Sequence, residues 1–142
     1  MTGLIHIGII IGIASIVVTT IILFKRERRK RLDVYWQRSC TGTEWGNRFP
    51  GVPNEVIREF LQAFADGFAF SNEKCLKFSP DDKVMDIYRA LYPCKGWPDA
   101  LEIETFAINL EEKYGLDIAK VEDHEIILGR LFEMTREIQT TH

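Results

Sequence analysis

The side chains best suited to covalent or metal chemistry are three cysteines and a histidine, and their spacing matches no known site. Cys40, Cys75 and Cys94 lack the C-x-x-C spacing of zinc and redox sites. His124 lies between two acidic residues, but adjacent residues on a helix point to different faces. The chain contains no glycine-rich phosphate loop, nucleophile elbow or zinc-binding helix motif. The sequence therefore predicts a protein that is not an enzyme and that holds no metal or cofactor.

Acidic residues concentrate on one predicted helix, which is the main candidate for binding chemistry. Asp99 is a good N-cap, and Glu102, three positions later, completes a capping box. Gly115 is placed to end the helix as a left-handed C-cap. Between them, apolar residues recur near the helical period at Leu101, Ile103, Phe106, Ala107, Leu110 and Tyr114. The acidic residues of this helix are Asp99, Glu102, Glu104, Glu111 and Glu112.

This segment resembles the second helix of acyl carrier proteins, which opens with Asp-Ser-Leu and ends in Leu-Glu-Glu, an aromatic residue and glycine. The matching stretches here are 99–101 (Asp-Ala-Leu) and 110–115 (Leu-Glu-Glu-Lys-Tyr-Gly). In that family the serine hydroxyl carries phosphopantetheine, whose thiol holds the acyl group. The matching position here is Ala100, and a methyl group has no oxygen to form the phosphodiester. The resemblance therefore implies the family's fold without its attachment point.

The resemblance extends over about residues 54–136. Residues 56–64 match the first helix, the stretch after Gly115 matches the short third helix, and residues 126–134 match the fourth. No segment has the alternating period of a strand. The predicted fold is all-α, with a single N-terminal transmembrane helix followed by a small acyl-carrier-like bundle of four or five helices.

Carrier proteins meet basic patches on their partner enzymes through acidic residues of the second helix. The resemblance thus implies docking through the five acidic residues given above, and a solvated helix face is the alternative. Trp97 lies two residues before Asp99, where the prosthetic arm emerges in a true carrier. An exposed indole there would anchor a partner, since Trp is enriched at binding hot spots. Packing against Tyr92 or Leu101 is the alternative for Trp97.

The amino-terminal residues predict a membrane anchor. Residues 4–24 include no Lys, Arg, Asp or Glu, and about 20 apolar residues are enough to cross a bilayer. A cleavable signal peptide would have its cations before a shorter apolar run. Here the cations follow the run, which predicts an outside amino terminus and a carboxyl-terminal domain in the cytoplasm, at the inner membrane. The cations are Lys25, Arg26, Arg28, Arg29, Lys30 and Arg31.

Two further contacts of the anchor follow from its sequence. The basic cluster is suited to anionic lipid headgroups at the membrane surface. Gly8 and Gly12 have the spacing that lets two membrane helices approach closely, which would give a weak homodimer. Glycines that simply face lipid are the alternative.

Charge is divided sharply along the chain. The whole protein has 18 basic and 21 acidic residues, a net charge of −3. Removing residues 25–31, with six basic residues and one acidic residue, leaves 12 basic against 20 acidic and a net charge of −8. Such a domain is repelled by nucleic acid and attracted to a protein with a basic surface.

The composition divides the chain into four predicted parts. Residues 1–24 form the anchor, 25–53 a basic juxtamembrane segment and an aromatic, Gly- and Pro-containing linker that partly packs, 54–136 the helical domain, and 137–142 a tail. Within the domain, Asn54 is predicted to cap the first helix and residues 70–78 to form a loop. Ser79 is predicted to cap a short helix that begins at Pro80 and runs to about Leu91.

The leading hypothesis from the sequence is a membrane-anchored, cytoplasm-facing docking module of acyl-carrier-like fold. One alternative is a functional carrier loaded elsewhere, for example on Ser79 or Cys94. Another is a structural membrane protein that self-associates through Gly8 and Gly12.

Overall fold

The computed structural model describes residues 2–92, 101–121, 123 and 125–141, and the regular elements within these residues are helical. The all-α prediction is therefore confirmed. The α-helices are α1 (Thr2–Trp36), α2 (Gly42–Arg48), α3 (Asn54–Gly67), α4 (Val84–Leu91), α5 (Leu101–Tyr114) and α6 (Leu128–Thr141), and short 3₁₀ helices lie at Asn72–Lys77 and Ile118–Lys120.

Helix α1 contains both the apolar run and the basic cluster. Side chains 5–23 are exposed, and the helix is long and apolar enough to span a membrane. The hydroxyls of Thr19 and Thr20 donate to carbonyl oxygens one turn earlier in the helix, both at 2.8 Å. The helix does not end at the basic cluster, because Lys and Arg are good helix formers and neither Gly nor Pro follows before residue 42. Residues 33–36, predicted as linker, are its last turn.

The end of α1 is part of the domain core. Leu32 and Tyr35 are buried in the same apolar cluster as the residues of α3, α5 and α6. Trp36 packs edge-on against Phe70 and Phe78, with ring centroids 5.2 Å and 5.5 Å away. The core therefore extends well before the predicted boundary at residue 54.

The predicted linker also contributes the largest buried side chain. Trp45, in α2, is fully buried, and its indole Nε1 donates to the carbonyl oxygen of Phe78 at 2.8 Å. The hydroxyl of Thr41 lies 2.8 Å from the same oxygen. Trp45 thus lies inside the core, whereas the sequence placed it in a linker that only partly packs. The indole N–H is the only polar group of the Trp45 side chain, and its hydrogen bond to a backbone carbonyl is what burial requires.

An aromatic layer joins α3 to α5 and α6. Phe64 meets Phe106 of α5 edge-on at 5.1 Å, and Phe60 meets Phe132 of α6 at 5.2 Å. Gly67 allows α3 and α5 to approach closely, because a Cβ at this position would lie 2.7 Å from the Cα of Phe106.

The prediction that α4 begins at Pro80 is wrong. Residues 79–82 form a turn, and the helix starts at Val84. The carboxylate of Asp82 accepts from the backbone N–H of Ser79 at 2.7 Å and from Nη1 of Arg38 at 2.7 and 2.8 Å. These bonds explain why residues 79–82 form a separate turn and not the start of α4. The Asp82 carboxylate accepts hydrogen bonds from partners outside the helix. Its side chain is only 10% exposed, so the ion pair fastens the turn to the chain just after α1.

The starts of α4 and α6 are joined by an isolated antiparallel bridge between Lys83 and Ile127. The N–H of Val84 donates to the carbonyl of Ile126 at 3.1 Å, and that of Leu128 to the carbonyl of Asp82 at 2.9 Å.

Two other segments differ from their predictions. Residues 70–78 contain a 3₁₀ helix rather than only loop, and residues 137–141 of the predicted tail belong to α6.

Helix α5 confirms the prediction of a helix that ends at Gly115. It runs to Tyr114, and Gly115 follows with φ of 70°, the left-handed conformation expected of a C-cap. The N–H of Gly115 donates to the carbonyl of Glu111 at 2.9 Å. The predicted N-cap, Asp99, lies outside the described residues.

The close approach of α3 and α5 can be tested at Gly67. We expect Gly67→Ala to destabilise the full chain by about 1–3 kcal/mol, because the new methyl group would overlap the backbone of Phe106. Thermal unfolding in mild detergent, followed by near-UV circular dichroism, measures the change. Gly46→Ala in α2 is the control, since a Cβ there meets no atom within 4 Å. Equal melting temperatures for the two variants would contradict this packing.

A second prediction concerns alkaline stability. Burial, with a smaller contribution from the charge of Glu59, raises the pKa of Tyr114 from 10 to about 12. Below pH 10 the phenol is protonated in both the folded and unfolded states. Above pH 10 only the unfolded state releases the proton, so this contribution to stability is lost as the pH rises through 12.

Tyr114→Phe should therefore lose less stability between pH 7 and pH 11 than the wild type, by about 1–1.5 kcal/mol. At pH 7 the variant should be at least as stable, since the buried Tyr114 hydroxyl has no hydrogen-bond partner among the described residues. Melting temperatures across this pH range measure both effects. Burial also raises the pKa of Tyr35, so the variant should still lose some stability at high pH. Identical pH profiles would contradict the assignment.

Candidate functional site

The outward face of α5 presents apolar side chains to solvent. Leu101 is 63% exposed and Ile108 is 53% exposed. Outside α1, these are the large hydrophobic side chains left exposed in the described part of the chain. They are seven residues apart and so lie in line on one side of the helix, while Phe106 and Leu110 on the opposite side are fully buried. Leu101 thus lies on the outer face, although the sequence grouped it with the core residues.

Three of the predicted docking residues surround this apolar pair. Glu104, Glu111 and Glu112 are exposed, and helical spacing places them on the side of α5 that also presents Ile108. Among the described residues, no basic side chain lies within ion-pair distance of these three carboxylates. We call the five residues Leu101, Glu104, Ile108, Glu111 and Glu112 the α5 face.

Glu102 has a different environment from the rest of the predicted set. Its side chain is partly buried, and Oε1 accepts a hydrogen bond from the hydroxyl of Tyr92. Its other oxygen, Oε2, is buried with no partner among the described residues. This carboxylate links the start of α5 to the end of α4 and does not lie on the exposed face. The other predicted residues at this end, Trp97, Asp99 and Ala100, lie outside the described residues.

A groove borders the α5 face on the side of α3. It has a volume of about 450 Å³ and is lined by Ala63, Asp66, Asn109, Glu112 and Lys113. Lys113 forms an ion pair with Glu59 of α3 at 3.0 Å, which neutralises its charge locally. Glu112 therefore belongs both to the α5 face and to the groove, and Asp66 adds a further exposed carboxylate beside them.

The predicted membrane-surface residues are exposed along α1. Arg31 pairs with Glu27 one turn earlier at 3.2 Å, a surface pair of small energetic value. The other cations, Lys25, Arg26, Arg28, Arg29 and Lys30, form no ion pair with the described residues. A Cβ added at Gly8 or Gly12 meets no atom within 4 Å, so both glycines present an open surface on α1.

Cys40, Cys75 and Ser79 have few features of reactive groups. Cys40 is exposed and Cys75 is half-buried, and both are free thiols. Burial raises the pKa of Cys75, which favours the less nucleophilic thiol form. The Ser79 hydroxyl accepts from the backbone N–H of Asp81 at 3.4 Å, as part of the turn at residues 79–82. Cys94 lies outside the described residues. No group of three His, Cys, Asp or Glu side chains in the described ranges could hold a metal ion.

Sequence reasoning identified the charged members of the α5 face and missed the apolar ones. The available signal was spacing: Leu101 and Ile108 are out of phase with Phe106 and Leu110. A partly apolar outer face cannot be distinguished from a broad core stripe until the positions of the neighbouring helices are known.

Comparison of this chain with protein-family models, with curated proteins and with solved structures found no match. The resemblance of residues 54–136 to acyl carrier proteins therefore depends on the motif at residues 99–115 and on the order of the helices.

Proposed function

We propose that this protein is a membrane-anchored docking module without catalytic activity, whose α5 face binds a protein with a basic surface. The observation that carries the proposal is the pairing of exposed Leu101 and Ile108 with three carboxylates that have no basic partner among the described residues. Burial of the two apolar side chains would supply affinity, at about 25 cal/mol per Å². The carboxylates would orient the partner and speed its association. The net charge of −8 outside the basic cluster supports a basic partner.

The docking module is proposed to have an acyl-carrier-like fold that has lost cargo attachment. The features supporting this are Ala100 at the serine position and the helix ending at Gly115. The alternative is a carrier loaded at Ser79 or Cys94. Intact mass of the protein from its native host separates the two, because a covalently bound pantetheine arm would favour the carrier.

Anchoring through α1 would restrict the position of the docking surface. About eight residues separate Phe24, at the end of the apolar run, from Leu32 in the core, a rise of about 12 Å along the helix. Since the same helix enters the core, the domain would be held close to the bilayer. Tethering of this kind raises the effective concentration of the domain near membrane-associated partners without any new contact.

The proposed orientation has the amino terminus outside and the domain in the cytoplasm, at the inner membrane. Its support is the position of the six cations directly after the apolar run. Self-association through Gly8 and Gly12 remains the structural alternative, and both glycines are open to an approaching helix.

The docking proposal predicts a charge-reversal effect specific to α5. Glu104→Lys combined with Glu111→Lys should lower recovery of partners by about tenfold or more, because it places like charges against a basic surface. The measurement is quantitative affinity capture with the full chain from detergent-solubilised host membranes. The control combines Glu44→Lys with Glu55→Lys, two exposed acidic residues in α2 and α3, and changes the net charge equally. Equal recovery of every partner by the wild type and the α5 variant would refute docking through this face.

The orientation predicts which thiols react from outside the cell. A membrane-impermeant maleimide should leave the native cysteines unlabelled while the membrane is intact, and should label the exposed Cys40 after permeabilisation. Thr2→Cys provides the opposite control, since it lies beyond the other end of the apolar run and should react with intact cells. Labelling of Cys40 before permeabilisation would reverse the proposed orientation.

A further inference from the structure

A cationic pocket lies where α1 leaves its apolar run. It has a volume of about 510 Å³ and is lined by Lys25, Arg28, Arg29, Leu32, Trp36 and Lys74. The α1 residues recur at intervals of three, four and seven, so they share one side of the helix. Lys74 comes from the 3₁₀ helix at Asn72–Lys77 and forms the opposite wall. The folded domain thus adds to the basic cluster a cation that is about 45 residues away in the sequence.

The four cations of this pocket are not neutralised by an ion pair within the described part of the chain. None of Lys25, Arg28, Arg29 and Lys74 lies within ion-pair distance of a carboxylate among the described residues. The Nζ atom of Lys74 lies 5.2 Å from the ring centroid of Trp36, within the range of a cation–π contact. Like charges in one concavity repel each other, so a bound anion would relieve a repulsion that the protein itself leaves unbalanced.

The position of the pocket indicates the source of the anion. Lys25 directly follows Phe24, the last residue of the apolar run, so the pocket opens at the level of the lipid headgroups when α1 spans a bilayer. Its inner wall is Leu32 and Trp36, an apolar and an aromatic surface of the kind that lies at membrane interfaces. Arg28 and Arg29 can bind phosphate oxygens in a bidentate manner.

We propose that this pocket binds the phosphodiester headgroup of an anionic phospholipid. The lipid's acyl chains would lie along the apolar part of α1, and its phosphate would be held between the α1 cations and Lys74. The site therefore extends the basic cluster from a general electrostatic surface to a defined lipid site that includes the folded domain.

The remaining cations of the cluster provide a matched comparison. Arg26, Lys30 and Arg31 project from the other sides of α1 and do not line the pocket. On a diffuse electrostatic surface, the three α1 cations that line the pocket and the three that do not would contribute equally to lipid binding. A defined pocket would depend on Lys25, Arg28, Arg29 and Lys74 alone.

The test is native mass spectrometry of the full chain in a neutral detergent, titrated with phosphatidylglycerol, phosphatidylcholine or glycerol 3-phosphate. We expect phosphatidylglycerol to bind at least about tenfold more tightly than either of the other two. This preference should be abolished in the triple variant with Lys25→Gln, Arg28→Gln and Arg29→Gln. It should be largely retained in the triple variant with Arg26→Gln, Lys30→Gln and Arg31→Gln. Lys74→Gln should weaken phosphatidylglycerol binding about fivefold, the usual effect of one cation near a lipid surface. Lys120→Gln, at an exposed residue that does not line the pocket, should not change it.

Equal losses in the two triple variants, or no effect of Lys74→Gln, would overturn the pocket. Equal affinity for glycerol 3-phosphate and phosphatidylglycerol would indicate a site for soluble phosphates and would overturn the lipid assignment. The inference rests on the membrane anchoring in the proposed function, which alkaline carbonate extraction of native membranes tests separately. Release of the chain would refute both the anchor and the lipid site, whereas retention without lipid preference would refute the lipid site alone.

Discussion

The burial of the last turns of α1 in the domain core is the constraint on which the other features depend. Leu32 and Tyr35 are core residues, and Trp36 packs against Phe70 and Phe78. The partly buried ion pair between Arg38 and Asp82 holds the chain just beyond the helix against the turn at residues 79–82. A helix with these contacts cannot pivot freely against the domain, because movement would expose apolar surface. The apolar run is therefore continuous with a helix whose last turns belong to the domain core.

The protein has two surfaces of opposite charge. The basic cluster lies on α1 between the apolar run and the core, and the α5 face carries carboxylates without basic partners among the described residues. In the proposed setting, anionic lipids would attract the first surface and repel the second. The domain's net negative charge would then favour presenting the α5 face to a protein partner rather than to the bilayer.

The packing of α5 determines what its outer face contains. Its inner side is filled by Phe106 and Leu110 against an aromatic layer, and Gly67 allows α3 to come close. With the inner side fully occupied, Leu101 and Ile108 are left outside beside Glu104 and Glu111. The mixture of apolar and acidic side chains on this face is thus a consequence of helix packing.

The sequence by itself determined the features that depend on neighbouring residues. These are the all-helical class, the apolar run, the cations that follow it and the end of α5 at Gly115, since periodicity, propensity and φ requirements act within a few residues. Only the tertiary structure decided that α1 continues into the core, that Trp45 is central, and that Asp82 forms a turn by pairing with Arg38. It also brought Lys74 to the basic cluster and left Ile108 exposed. Each of these depends on a contact between segments far apart in the chain, and no local pattern encodes which segment will supply the partner.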